Sequence, residues 1–314
     1  MNNIMEKNRW FYDNHVAGLI HEKFPEYEDR IAVGIVGEGS DCFGYDDEIS
    51  RDHDFGTGVC LWLTDEDMAK FGDLLSIAYN ELVDSEERAF FTERLRERRG
   101  VMSIRMFYSN ILNAPIDAET PFLTEEQWLS LDHSCLKTAT NGEVFRDDLG
   151  VFTAFRNYLA GYYPERVRRA RIASELHEYA SAFQVNYARC MSRGDTVAAE
   201  LCRARGLASA MELFFLIKSE YLPYYKWTYR ALSELDEEGA LTAKLRELSL
   251  TRISPEAWEG TRYRPNRQNY KDRIVSLSEE IASELESMLA EAGLIRVRGR
   301  YLEAHVEAVM KGLK

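Results

Sequence analysis

The chain has 314 residues, of which 45% are hydrophobic and 12% aromatic, and its 53 acidic and 39 basic side chains leave a net charge of -14. This composition excludes a disordered chain, and so acidic a surface argues against duplex nucleic acid, which needs a positive face. No apolar run reaches the roughly 18–20 residues that span a bilayer, and the opening "MNNIMEKNRWFYDN" lacks the apolar core of a secretion signal, so a cytoplasmic protein without a membrane partner is expected.

In chain order, Phe11, Val16, Leu19, Ile20 and Phe24 recur at helical spacing, and Pro25 closes that helix. Ile31–Val36 is a short apolar run and predicts a buried strand. An acidic, glycine-rich stretch follows, "GEGSDCFGYDDEISRDHDFG", and Phe55–Leu63 predicts a second strand. Thr64 can cap a helix that begins with Asp65, Glu66 and Asp67 and runs to about Leu82. A further helix is expected over Ser85–Arg99 and a strand over Val101–Tyr108. Thr124 and Gln127 form a capping-box pattern, and Gly142–Gly150 predicts a short strand and turn. Beyond Gly150 the pattern is almost wholly helical, interrupted at Pro164, Gly194, Pro223 and Pro255. Strands in the first half and helices in the second predict an α+β protein: residues 1–150 form a mixed sheet with flanking helices, and residues 151–314 an all-helical domain. The five scattered cysteines contain no CxxC pair, so neither a disulfide framework nor a zinc site is expected.

The acidic stretch carries the chemistry. On an extended segment Asp52 and Asp54 would share a face, with His53 on the other. Two adjacent carboxylates repel unless a cation lies between them, and hard oxygen ligands suit Mg²⁺ or Mn²⁺. Gly39 lets a backbone approach a phosphate closely, and Ser40 offers an N–H and a hydroxyl to its oxygens. Glycine and serine after a strand, then Asp-x-Asp about ten residues later, resemble the signature of the polymerase-beta-type nucleotidyltransferases, and most closely their kanamycin-nucleotidyltransferase-like branch. Together with "TNGEVFRDDLG", "NYARCMSRGD" and "YLPYYKW", the stretch is similar to a bacterial family of unknown function with a nucleotidyltransferase-like start. The resemblance implies that Asp52 and Asp54 hold two divalent ions and are catalytic, that Gly39 and Ser40 contact phosphate, and that ATP or another NTP donates a nucleoside monophosphate with release of pyrophosphate. The helical domain would then close over the nucleotide.

The superfamily usually adds a third carboxylate from a later strand. Here the expected strand Val101–Tyr108 carries Ser103 and Arg105 instead, with Glu97 and Glu143 as stand-ins. In the helical half Arg189 and Arg193 lie four apart, so one face can present both to a triphosphate or to ordinary ion-pair partners. Lys226, set between aromatics, is a candidate phosphate anchor or a lysine whose stem lies on rings. The expected activity is transfer of a nucleoside monophosphate, AMP first among them, to a hydroxyl of a small-molecule or protein acceptor. The alternatives are a nucleotide-binding regulator with little turnover and an antitoxin-like protein.

Overall fold

The computed structural model describes residues 4–47, 56–85, 98–296 and 299–312. The chain divides into two compact units, Met1–Tyr162 and Tyr163–Lys314. The first holds a four-stranded mixed sheet and its flanking helices, and the second is helical, which is the expected α+β architecture.

The helix expected near the N-terminus begins as α1 (Ile4–Phe11), passes through a π-turn at Tyr12–Val16 and continues as α2 (Ala17–Lys23). β1 (Ala32–Ile35) is the centre of the apolar run and is buried throughout. It leads to a single helical turn, α3 (Ser40–Phe43). β2 (Cys60–Leu63) is the described part of the second expected strand. Thr64 accepts the backbone N–H of Asp67 and so opens the helical run that becomes α4 (Asp73–Ser85). The helix expected over residues 85–99 falls mostly outside the described residues.

The strand expected over Val101–Tyr108 is corrected. Only β3 (Gly100–Ser103) is extended, and the chain turns at once into α5 (Ile104–Leu112). Ser103 caps that helix by accepting the backbone N–H of Met106, and Ile104, Phe107, Tyr108 and Leu112 bury one helical face. Capping and a period near 3.6 outweigh the β-propensity of the individual residues. α6 (Glu125–Ser130) carries the expected capping box from Thr124 and Gln127. α7 (His133–Thr140), β4 (Glu143–Arg146) and α8 (Val151–Ala160) complete the unit.

The sheet order is β3-β2-β1-β4, with β1 antiparallel to β2 and β4, and β2 parallel to β3. Alternation divides its faces. Val33, Ile35, Leu61 and Leu63 pack with Val16, Ile20, Leu75 and Tyr79 from the helical layer. Toward the other side Trp62 stacks on Phe152 of α8 at 3.8 Å and meets Phe107 edge-on at 5.2 Å. Aromatic pairs of this kind add ~0.5–1.5 kcal/mol beyond the area they bury.

In the second unit α9 (Glu165–Tyr179) continues through a π-segment, Ala180–Tyr187, into α10 (Ala188–Ser192). α11 (Thr196–Lys218) crosses it closely. A Cβ on Gly206 would lie 2.1 Å from the Phe183 ring, so the contact requires glycine in mid-helix. α12 (Tyr225–Leu235), α13 (Ala240–Leu250) and α14 (Arg273–Glu291) follow. Buried Asp272 caps α14. One of its oxygens accepts the Ile274 N–H, and the other accepts Trp258 Nε1 at 2.7 Å and the Tyr187 hydroxyl at 3.0 Å. Among the described residues no helix is long and apolar enough to cross a membrane.

Candidate functional site

β1 delivers the chain to Gly37, and buried Asn141, just after α7, fixes that exit. Its Oδ1 accepts the Gly37 N–H at 2.9 Å, and its Nδ2 donates to the Gly37 carbonyl at 2.8 Å. Asn141 is held in turn by Arg156, whose Nη2 donates to the carbonyls of Thr140 and Asn141 at 2.8 and 3.1 Å. One residue further, the Gly142 N–H donates to the Cys42 carbonyl at 3.0 Å, so both ends of the turn are tied to the segment that precedes β4.

Gly39 sits between these ties with φ +124° and ψ +147°, a region that essentially only glycine occupies. A Cβ there would lie 2.2 Å from Asp41 Oδ1. Ser40 follows as the first residue of α3, and its hydroxyl donates to Asp46 Oδ1 at 3.0 Å. The Asp41 carboxylate accepts the Cys42 N–H at 2.9 Å through Oδ1 and Arg99 Nη2 at 2.8 Å through Oδ2. Arg98 reaches Glu38 at 2.8 Å. Burial pushes the Cys42 thiol well above its ordinary value, and the Asp41 charge pushes it further. Burial also raises Cys60. Both thiols beside Arg99 are therefore protonated near neutral pH.

Asp52, His53 and Asp54 lie outside the described residues, as does Glu97. The chain is described again from Gly56, where the Gly58 N–H donates to buried Asn8 and the Val59 N–H donates to the Tyr79 hydroxyl. Where a third carboxylate is expected, Ser103 is the α5 cap and Arg105 pairs with Asp65. Glu143 stands opposite Ile35 at the end of β1, but it is paired with Arg9, whose guanidinium lies 4.5 Å over Phe145. Among the described residues no group of three or more His, Cys, Asp or Glu side chains could hold a metal ion.

The basic candidates of the second unit are all exposed. Arg189 lies 5.1 Å over the Tyr263 ring. Arg193 is the C-terminal cap of α10. Lys226, in the first turn of α12, lies 5.3 Å from the Trp227 ring, to which Arg230 also reaches at 5.9 Å. Arg189 and Arg193 thus share one helix end, and Lys226 belongs to a separate aromatic-basic cluster. Sequence reasoning missed Arg98, Arg99 and Asn141. Asn141 lies within the quoted "TNGEVF" stretch, whereas the two arginines carried no local signal, because their partners are about 60 residues away.

Residues 128–228, about a third of the chain, match a family described as a domain of unknown function, DUF4037. The matched segment runs from α6 into α12. It includes Asn141, Arg189, Arg193 and Lys226, and it excludes Gly39, Ser40, Asp52 and Asp54. No curated protein and no solved structure matches the chain.

Proposed function

We propose that the protein is a metal-dependent nucleotidyltransferase that moves a nucleoside monophosphate, AMP first among the candidates, from an NTP to a hydroxyl of a small-molecule or protein acceptor. The observation that carries this reading is the turn at Gly39 and Ser40, which follows a buried strand and has a glycine-only backbone beside a hydroxyl. Such a turn admits an oxygen close to the main chain where a Cβ would otherwise stand; Asp41 Oδ1 holds that place here, and a phosphate oxygen would meet the Ser40 end of the turn. The Ser40 hydroxyl is already oriented by Asp46, and it would exchange that acceptor for a phosphate oxygen.

The donors assigned to Mg²⁺ or Mn²⁺ are Asp52 and Asp54. Both are hard carboxylates, and they fit such an ion by chemistry. Glu38 and Asp41 do not compete for it, because Arg98 and Arg99 hold them. A divalent ion bound there would neutralise triphosphate charge and acidify the attacking hydroxyl. The chain's own Gly39 and Ser40 would position the phosphate.

Calorimetry with Mg·ATP and an assay of pyrophosphate release test the reading. Asp52→Asn and Asp54→Asn are expected to abolish transfer while circular dichroism stays unchanged. Full activity in both variants would end the metal assignment. A second reading, nucleotide binding with little turnover, is favoured by one observation: where a third acid is expected, the end of β3 offers a capping serine and the first turn of α5 a paired arginine. Tight Mg·ATP binding without pyrophosphate release across many acceptors would decide for it.

A further inference from the structure

Arg98 and Arg99 lie immediately before β3, where Gly100 is in register with Cys60 of β2. The Arg99 side chain is 2% exposed. A guanidinium removed from water needs an anionic partner and hydrogen bonds. It finds the Asp41 carboxylate at 2.8 Å, with the neutral thiols of Cys42 at 3.6 Å and Cys60 at 4.0 Å. The Asp41 oxygen not bound to Arg99 binds the Cys42 N–H and occupies the space where residue 39 would carry a Cβ. Arg98 meanwhile holds Glu38. Two consecutive arginines from one strand end thus grip the two acidic residues that bracket Gly39 and Ser40.

We infer that Arg98 and Arg99 are positioning residues for a polyphosphate at the Gly39–Ser40 turn. They hold Glu38 and Asp41 in place, with the Asp41 carboxylate fixed beside the glycine. Without them Asp41 would be free to turn, and the turn would lose the carboxylate that shapes it. The inference rests on the nucleotide reading above.

The test measures Mg·ATP affinity by calorimetry and amide hydrogen exchange at Cys42, in the wild-type protein and in Asp41→Asn, Asp41→Ala, Arg99→Met, Arg99→Lys and the Asp41→Asn/Arg99→Met double variant. Phe152→Leu, on the far aromatic side of the sheet, controls for general destabilisation. Asp41→Asn and Arg99→Met are each expected to weaken Mg·ATP binding at least tenfold, with no further loss in the double variant, partial recovery in Arg99→Lys and less than a twofold change in Phe152→Leu. The Cys42 amide is expected to lose protection in Asp41→Ala, which removes its acceptor, while the β1 amides keep theirs. Wild-type affinity in Asp41→Asn, or equal weakening by Phe152→Leu, overturns the inference, and Asp41→Asn keeps the test open if Arg99→Met does not fold. If the wild-type protein binds no Mg·ATP, the nucleotide reading fails and the polyphosphate role with it, and loss of Cys42 protection would then mark the two arginines as a purely structural clamp. A Cys42 amide that stays protected in every variant overturns the clamp itself, whatever the nucleotide does.

Discussion

Gly39→Ala is expected to destabilise the first unit by about 3 kcal/mol, and the structure supplies the parts. Holding a non-glycine residue at φ +124° and ψ +147° costs on the order of 1–3 kcal/mol. The new methyl group would lie 2.2 Å from Asp41 Oδ1, whereas carbon–oxygen contacts settle near ~3.5 Å. The carboxylate must therefore move by about 1 Å or more, at the expense of its 2.8 Å bond to the buried Arg99 guanidinium. Complete loss of a buried charge's partner costs ~3–5 kcal/mol, but the Asp41 side chain can turn and keep part of the bond, so the total falls below the sum. At ~2–4 °C per kcal/mol for a unit of this size, the melting temperature should fall by roughly 6–12 °C. Gly150→Ala is the internal control. Gly150 has φ +73° with nothing within 4 Å of an added Cβ, so its cost should stay near ~1 kcal/mol. Thermal unfolding followed by circular dichroism reads both. Equal shifts for the two variants, or no shift for Gly39→Ala, would refute the argument that Asp41 fills the space above the glycine.

Asp272→Asn replaces a carboxylate that accepts three hydrogen bonds in the interior with an amide that must turn an NH₂ toward at least one donor. A loss of about 3 kcal/mol is expected, seen as a lower melting temperature of the second unit together with a change in Trp258 fluorescence. Gly206→Ala should lower stability by ~1–3 kcal/mol through overpacking against Phe183, even though alanine is the better helix former by about 1 kcal/mol. A stabilised variant would mean the two helices can part freely. Burial first, and then the Glu212 charge, raise the Glu175 carboxyl to about 7 from an ordinary value of 4.5. Its protonated form is favoured in the folded chain, so this contribution to stability is complete below pH 4.5 and is lost as pH rises through about 7. Glu175→Gln should therefore stabilise the fold at pH 8 by roughly 3 kcal/mol at most, seen as a higher melting temperature, and change it little at pH 4. Identical shifts at both values would remove the assignment.

Local chemistry was legible in the sequence, and distant pairing was not. The β1 run, the Thr124 capping box and the helical second half follow from patterns that complete within about ten residues. The Ile104–Leu112 helix reads as a strand from its sequence because Val101, Ile104 and Phe107 also suit one, and the deciding signal is one serine whose oxygen meets an amide three residues on. The Gly39–Ser40 turn could be located from its glycine and its place after a strand. What holds it came from Arg99, 58 residues from Asp41, and from Asn141, 104 residues from Gly37. No periodicity announces a contact of that span, since only the closed sheet brings β3 and the end of α7 beside the exit of β1.

The stacking of Phe152 on Trp62 bears on how the chain can be cut. A fragment ending at residue 150 would strip the indole of its cover and leave a bare aromatic surface in water, inviting self-association. One ending at Tyr162 retains the Val151–Ala160 helix over the indole and should purify as a stable species.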